Sequence, residues 1–437
     1  MIKRLYAAFK KEGFIGFSTL VVTRCFCNLI AFPVACAITV ISPWIRIRFI
    51  KLYSWRIGHY GVNTHFMLCA LETDEYGQKR KRYKTVCYAD PRYLICNEQL
   101  HNMWKKAITI FPFRKICFQT DRFLMLLQGS TYENDPFKKM FEGSEGYYDR
   151  WRFSERLDKS YISFTEDEHR KAGTLMREMG IPPGAPFVCI LVRDSKYLQI
   201  QMPGTDWMYH DYRNADINNY VKAMKLLAEK GFFVLRMGKY VNNKLDCNHP
   251  NVIDYASHEL RSDFMDIYLS AHCSFFISTG CGIESVAQIF RRPLLATNYA
   301  LTDFRSYLKY EIIIPKKVIK LKDNRLLTFN EIYLECQAFT DTPVCKGIDR
   351  KSMFQAWQEK RWSFAENTPD EIVEAVEDML KRLTNGDNLE EEGKLLQNRF
   401  WRSFPAMRED NNMTSYSNVK MKIANSFLQR HESLLLP

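Results

Sequence analysis

The chain lacks most of the short motifs that announce a chemistry. It has no GxGxxG turn of the kind that opens a dinucleotide-binding unit, and no GxxxxGK[ST] loop, which disfavours a P-loop kinase or ATPase. GxSxG and HExxH are also missing, and with them the marks of a hydrolase nucleophile elbow and of a zinc peptidase helix. No zinc-finger, RNA-recognition or helix-turn-helix signature is present, so nucleic acid is not an expected partner. No segment is poor enough in apolar residues to read as disordered. The 13 cysteines, an odd number, form no zinc-like pairs. Cys25 and Cys27 are too close for CxxC, and Cys87, Cys189 and Cys273 sit inside apolar stretches. Such usage fits reduced, buried thiols in a cytoplasmic protein, with no metal bound through cysteine.

What is present points to a folded chain of two domains, since 437 residues exceed one ordinary core. Hydrophobic residues make up 46% and charged residues 26%, which is ordinary for a globular protein. The net charge of +12 suits an anionic membrane face or a phosphorylated small substrate. Its local clusters, Lys79–Lys84 and Lys316–Lys322, read individually as solvated basic surface.

Residues 1–54 stand apart. Leu29–Ile45 is a run of 17 residues without a charge, preceded by Arg24 and followed by Arg46, Arg48 and Lys51. A spanning helix needs roughly 20 apolar residues, so the run is marginal, and Pro33 and Pro43 weaken it. Met1–Phe17 mixes Lys3, Arg4, Lys10 and Lys11 with Leu5, Tyr6, Phe9, Phe14 and Phe17, as in a helix lying in a membrane interface. A pair of buried helices belonging to the first domain is the alternative. The expectation is attachment to an anionic leaflet, peripheral or monotopic, rather than crossing.

Residues 55–160 show alternating strand and helix signals, the mark of an α/β domain. Thr85–Ala89 and Leu94–Cys96 are strand candidates, and Glu98–Lys106 is a helix. Arg56–Asn63 reads RIGHYGVN, where a Gly-His turn would bring an imidazole to a ligand. His59 is the candidate base, because histidine accepts a proton near neutral pH.

Residues 161–385 carry the sharper pattern. Glu166–Met179 is a helix stopped at Gly180. Phe187–Val192 is a continuously apolar strand ending in Arg193-Asp194, at the edge where open parallel sheets bind ligands. Asp216–Lys230 is an amphipathic helix, and Phe232–Met237, Val252–Tyr255 and Ser274–Ile277 are strands, with a helix over Asp263–Ala271. The last of these strands runs into Ser278-Thr279-Gly280-Cys281-Gly282-Ile283-Glu284, which opens another helix. Glycines there permit close backbone approach, and free amides at a helix start bind diphosphate. Ser278 and Thr279 would add hydroxyls, and Glu284 would accept from ribose or sugar hydroxyls. Arg213, in His210–Asp216, would neutralise a leaving phosphate. Pro293–Thr297 gives a further strand. In the tail, Thr368-Pro369-Asp370-Glu371 caps a helix running to Leu383, and Ser417–Leu436 reads as a last helix.

DYRNADINNYVKAMKLLAEKGFFVLRMG, VIDYAS and SFFISTGCGIESVAQIFRRPLLATN together resemble a family of bacterial glycosyltransferases tied to surface-polysaccharide genes, with RIGHYGVN and KIANSFLQRHESLL as edge motifs. The resemblance covers most of residues 55–437 and is strongest over 187–300. It implies an α/β GT-B-like fold, two Rossmann-like domains facing a cleft, with the helical membrane-associated segment 1–54 added. The acceptor domain would be 55–160 and the nucleotide-sugar domain 161–385, with helices in 386–437 bracing both. The implied reaction moves a sugar from a nucleotide-sugar to a glycan or lipid-linked acceptor, at the cytoplasmic face of the inner membrane. The site residues expected are His59, Arg193, Asp194 and Arg213 for catalysis, and Ser278, Thr279, Gly280, Cys281, Gly282 and Glu284 for the donor. No cofactor or metal is expected. A nucleotide-sugar epimerase or hydrolase, or a non-catalytic scaffold of a polysaccharide assembly complex, are the other readings.

Overall fold

The computed structural model describes residues 2–74, 82–142, 159–201, 204, 206–300, 311–337, 350–386, 389–404 and 422–435. Two compact units emerge, Met1–Ser163 and Phe164–Pro437. Part of the Lys79–Lys84 cluster, and Val419 of the expected last helix, lie outside the described residues.

The first unit runs α1 (Ile2–Ile41), β1 (Arg46–Leu52), α2 (Ile57–Thr73), β2 (Tyr83–Ala89), α3 (Glu98–Ala107), α4 (Arg114–Gln128) and α5 (Pro136–Glu142). Strands β1 and β2 pair in parallel across α2, and Ile110 adds a single parallel bridge at Cys87. Among the described residues this sheet has two strands. Its first strand also begins before residue 55. Arg46, Arg48 and Lys51 read as a cationic flank to the apolar run, yet they lie on β1. Arg48 is buried against Asp135, 3.4 Å away, with its guanidinium over the Phe137 ring. RIGHYGVN is not a turn but the start of α2, whose residues Tyr60–Ala70 are buried on every side. Leu94–Cys96 is irregular chain rather than strand.

A buried ionic knot ties this unit together. The Lys138 ammonium donates to Asp121 at 2.9 Å and to the Phe49 carbonyl at 2.8 Å, and pairs with Glu142 at 2.7 Å. The Tyr88 and Tyr132 hydroxyls complete the Asp121 carboxylate, each at 2.8 Å. Every member of the group is thereby satisfied, the condition under which buried charge is tolerated.

Helix α1 bends at Gly13, where φ is +67°. Its portion Val21–Ile41 is 21 residues long with a mean hydropathy of 1.9, long and apolar enough to cross a membrane by length and composition. One stripe of it, Cys27, Ala31, Ala35 and Ile38, is buried against α4 and the β1–β2 core. The spacing is that of one helix face. The interfacial pattern expected of Met1–Phe17 falls on side chains outside the described residues; the backbone there is helical.

The second unit is built on a seven-stranded sheet. Its strands are β3 (Phe187–Leu191), β4 (Phe233–Arg236), β5 (Val252–Ile253), β6 (Phe275–Ser278), β7 (Leu294–Tyr299), β8 (Glu311–Pro315) and β12 (Lys422–Ile423). A small antiparallel sheet of β9 (Lys317–Lys320), β10 (Arg325–Leu326) and β11 (Trp362–Ala365) stands beside it. The large sheet has the order β12-β8-β7-β6-β3-β4-β5, and every pair is parallel. Buried apolar runs such as FVCIL and LLATNY suit strands covered on both faces. Covering helices include α6 (Glu166–Glu178), α7 (Val221–Glu229), α8 (Asp263–His272), α9 (Glu284–Ile289), α10 (Pro369–Asn385) and α11 (Asn425–Arg430). Asp216 caps a short 3-10 turn, Ile217–Tyr220, ahead of α7 rather than the α-helix itself. Thr165 with Glu168, and Thr368 with Glu371, form reciprocal capping boxes.

The expected single helix over Ser417–Leu436 is a strand followed by a short helix. β12 pairs with β8, and Gln397 clamps Ile423 with Nε2 donating to its carbonyl at 2.6 Å and Oε1 accepting from its amide at 3.2 Å. Ile423, Phe427 and Leu428 are buried in the main core, so the apolar stripe read from the sequence is core. The described contacts of this tail are with β8, α10 and the helix Glu391–Arg402 of its own unit.

Neither Lys316 nor Lys317 is solvated surface, since both are buried. Lys317 pairs with Glu371, which also accepts from His431. Burial works to raise the Glu371 carboxyl, but the His431 and Lys317 hydrogen bonds outweigh it and hold the group at about 2. A depressed carboxyl contributes stability above its unfolded value of 4.5, lost as pH falls toward 2. Glu371→Gln strands a buried ammonium, so urea unfolding should show a loss of roughly 3–5 kcal/mol. The acid limb of stability between pH 4.5 and 2 should flatten in that variant.

Candidate functional site

Chain order places β4 and β5 on one side of β3, and β6, β7 and β8 on the other. The connections therefore diverge between β3 and β6, leaving a crevice at their carboxyl ends where doubly wound sheets take ligands. Two loops meet there. Residues 192–195 leave β3, and residues 279–283 leave β6. The Thr279 hydroxyl accepts from the Arg193 amide at 2.8 Å and the Thr279 amide donates to the Leu191 carbonyl at 3.3 Å, locking the loops together. A third segment, the 3-10 turn Met208–Arg213, is pinned through Ala215, whose amide donates to the Arg193 carbonyl at 3.1 Å.

The structure thus brings Arg193, Arg213 and the Thr279–Gly282 backbone to one place. The Arg213 guanidinium donates to the Gly280 carbonyl. Arg193 is half-buried, its Nε has no hydrogen-bond partner, and it forms no ion pair among the described residues. Burial, then the charge of Arg213, pushes its guanidinium down to about 10. Two cations are thus held together, with Asp211 among the groups that favour the charged form of Arg193. Gly280 sits at φ +78°, and a Cβ on it would lie 3.2 Å from the Tyr299 ring and 3.3 Å from the Arg213 guanidinium. Gly282 is exposed, and its amide and that of Ile283 carry no intrachain hydrogen bond among the described residues.

Several expected ligand contacts are turned inward instead. Ser278 and Thr279 are buried, and the Ser278 hydroxyl accepts from the Cys281 amide at 3.3 Å. The Glu284 carboxylate accepts from that same amide at 3.1 Å. Their visible work is to shape the loop, a role the strand-loop-helix pattern does not separate from ligand binding. Burial pushes the Cys281 thiol up to about 11, against the pull of Arg193, so it is no ready nucleophile. Helix α9 has six residues, which leaves the cations rather than a long helix dipole as the main source of positive potential. Both Asp194 oxygens hold loops, accepting from the Lys196 and Asn242 amides at 2.9 Å each. His59 belongs to the first unit, in the opening turn of α2, with its ring 5.6 Å from that of Tyr53.

Residues that the sequence reading missed stand behind the arginines. Lys316 follows β8 and donates to the Asn214 carbonyl at 2.6 Å. Burial pushes its ammonium down to about 8, with Glu366 pulling the other way. Its signal was its place at a strand end, the same one that marked Arg193, hidden because it opens a basic cluster. Asn298, at φ +51°, and Asn367 exchange amide and side-chain bonds, with Asn367 donating to Asn298 Oδ1 at 2.7 Å. Asn298 also donates to the Tyr220 hydroxyl at 2.9 Å, and Asn367 to the Pro315 carbonyl at 2.9 Å. This buried lattice fixes the ends of β7 and β8 beneath the crevice. Among the described residues no group of three or more His, Cys, Asp or Glu side chains is placed to hold a metal ion.

No known family profile and no curated protein sequence matches the chain. Solved structures give a distant likeness. ADP-heptose lipopolysaccharide heptosyltransferase II of E. coli is 12% identical at a TM-score of 0.38, over 72% of this chain and 98% of its own. A family 9 glycosyltransferase from Veillonella parvula is 9% identical at 0.37, over 72% and 96%. E. coli heptosyltransferase WaaC, with ADP-2-deoxy-2-fluoro heptose, is 13% identical at 0.32, over 61% and 92%. At these values the likeness assigns no activity, and the functional reading rests on the crevice itself.

Gly280→Ala places a Cβ against Tyr299 and Arg213 in a left-handed conformation. It should cost about 1–3 kcal/mol in urea unfolding. Lys316 has a folded value near 8 against 10.5 unfolded, so between those pH values the unfolded chain holds the extra proton. Wild-type stability should therefore rise relative to Lys316→Met from pH 8 to 10.5, a trend that thermal melts of both proteins would reveal.

Proposed function

We propose that this protein is a glycosyltransferase that uses a nucleotide-sugar donor, with the donor's phosphates lodged in the β3/β6 crevice. The observation that carries the reading is Arg193, a half-buried cation with no ion pair among the described residues, set beside Arg213 at the switch point of a parallel sheet. Guanidinium groups suit phosphate oxygens in geometry as well as sign. The exposed Gly282 backbone allows the chain to approach the phosphates closely.

In the proposed reaction an acceptor hydroxyl attacks the anomeric carbon, and the bond to the phosphate oxygen breaks with the electron pair leaving on the nucleotide. Arg193 and Arg213 stabilise the charge that develops on that leaving group. His59 is the proposed base for the acceptor proton. The acceptor is proposed to be a glycan or lipid-linked sugar of a bacterial surface polysaccharide. The apolar α1 helix supports work at the cytoplasmic face of a membrane, where a lipid-linked acceptor resides.

A thermal-shift series with UDP-, GDP-, CMP-, ADP- and dTDP-sugars tests the donor site. One nucleotide class should stabilise the protein by about 2.7 kcal/mol at a hundredfold excess over Kd. Arg193→Met should abolish that shift while raising the ligand-free melting temperature, because it removes a half-buried charge that lacks an ion pair. Folded protein that responds to no nucleotide, or an Arg193→Met variant with an undiminished shift, overturns the reading.

A further inference from the structure

Helix α1 is not the only apolar surface of the first unit. Its stripe opposite the buried one exposes Val22, Phe26 and Leu29, the last at 74%. Helix α4 exposes Leu126 at 77%, and its N-cap Phe113 is 62% exposed. These surfaces belong to one packed pair. Phe32 meets Phe123 edge-on at 5.3 Å between ring centroids, and Gln128 donates to the Thr39 hydroxyl at 3.2 Å. The two contacts occur in the same order along both helices, so α1 and α4 run parallel. Val22 and Phe113 each stand ten residues before Phe32 and Phe123, toward the same end of the pair.

Among the described residues the exposed charge on the pair has one sign. Arg24 on α1, and Lys115 and Arg122 on α4, are exposed. The one acid of α4, Asp121, is buried in the knot with Lys138. Exposed Phe and Leu beside exposed Arg and Lys complement an anionic lipid surface, whose acyl boundary takes the rings and whose headgroups take the cations.

We propose that α1 and α4 together form a membrane-binding face that lies in the plane of an anionic bilayer, with α1 remaining packed on the protein rather than crossing. The length of Val21–Ile41 permits a span, but a span would strip Ala31 and Ala35, both fully buried, from α4 and the core. The proposal extends the membrane attachment put forward above and stands independently of the donor site.

Co-sedimentation of the full chain with phosphatidylcholine vesicles, with and without phosphatidylglycerol, tests it. Binding is expected to need phosphatidylglycerol, to weaken in high salt, and to be released by alkaline carbonate. The double variant Phe113→Ser/Leu126→Ser leaves α1 intact and should weaken binding at least about tenfold, since two large apolar side chains leave the interface. Lys115→Glu/Arg122→Glu, which changes only exposed charges, should weaken it as well, so the test does not depend on one variant's folding. Undiminished binding by both variants, equal binding to pure phosphatidylcholine, or resistance to carbonate overturns the proposal. So does a stable dimer that Phe113→Ser/Leu126→Ser splits, because the face then belongs to a second copy.

Discussion

Strand direction is the constraint on which the second unit depends. Because all seven strands of its large sheet run the same way, every loop leaving a carboxyl end emerges at one edge. Arg193 after β3, the glycine loop after β6, and Lys316 after β8 are scattered over more than a hundred residues of sequence. The sheet collects them, and reversal of the chain order between β3 and β6 opens the space in which two arginines meet. The reciprocal Asn298–Asn367 lattice then prevents the β7 and β8 ends from relaxing away from that space.

Buried charge is handled in two ways in this chain. In the first, Lys138 has Asp121, Glu142 and a carbonyl around it, and the group is complete within the chain. In the second, Arg193 is held in place by its backbone while its guanidinium finds no ion pair among the described residues. A complete network supports a fold, whereas a desolvated cation without an ion pair at a sheet edge marks a candidate site. This difference separates a structural cluster from a candidate site more clearly than residue type does, since both contain the same kinds of side chain.

Continuous apolar strands and capped helices made the second unit legible. FVCIL, FVLR, FFIS and LLATNY are strands within a residue or two of their expected places, and Thr368 caps its helix as read. The first unit was harder because its strand β1 carries Arg46, Arg48 and Lys51, and the burial of Arg48 depends on Asp135 nearly ninety residues away. No local pattern encodes such a partner. Of the candidate site, strand-end position pointed to Arg193 and the Thr279–Gly282 loop, and the structure brings the two together. The same residue types did not reveal that Ser278, Thr279, Glu284 and Asp194 spend their oxygens on the protein's own amides.

The edge strand β12 has a consequence for how the molecule is made. It pairs with β8, yet β8 ends at Pro315 and β12 ends at Ile423, so roughly 110 residues are synthesised between the two partners. At ribosomal speeds of about 5–20 residues per second, the β8 edge stays open for roughly 5–20 seconds. The first unit has no such late piece among its described residues, and its apolar helices are complete well before that interval begins. During synthesis, then, the exposed apolar face of α1 and α4 is finished first. The large sheet of the second unit acquires its edge strand last, while the open edge of β8 waits exposed to chaperones or to neighbouring nascent chains.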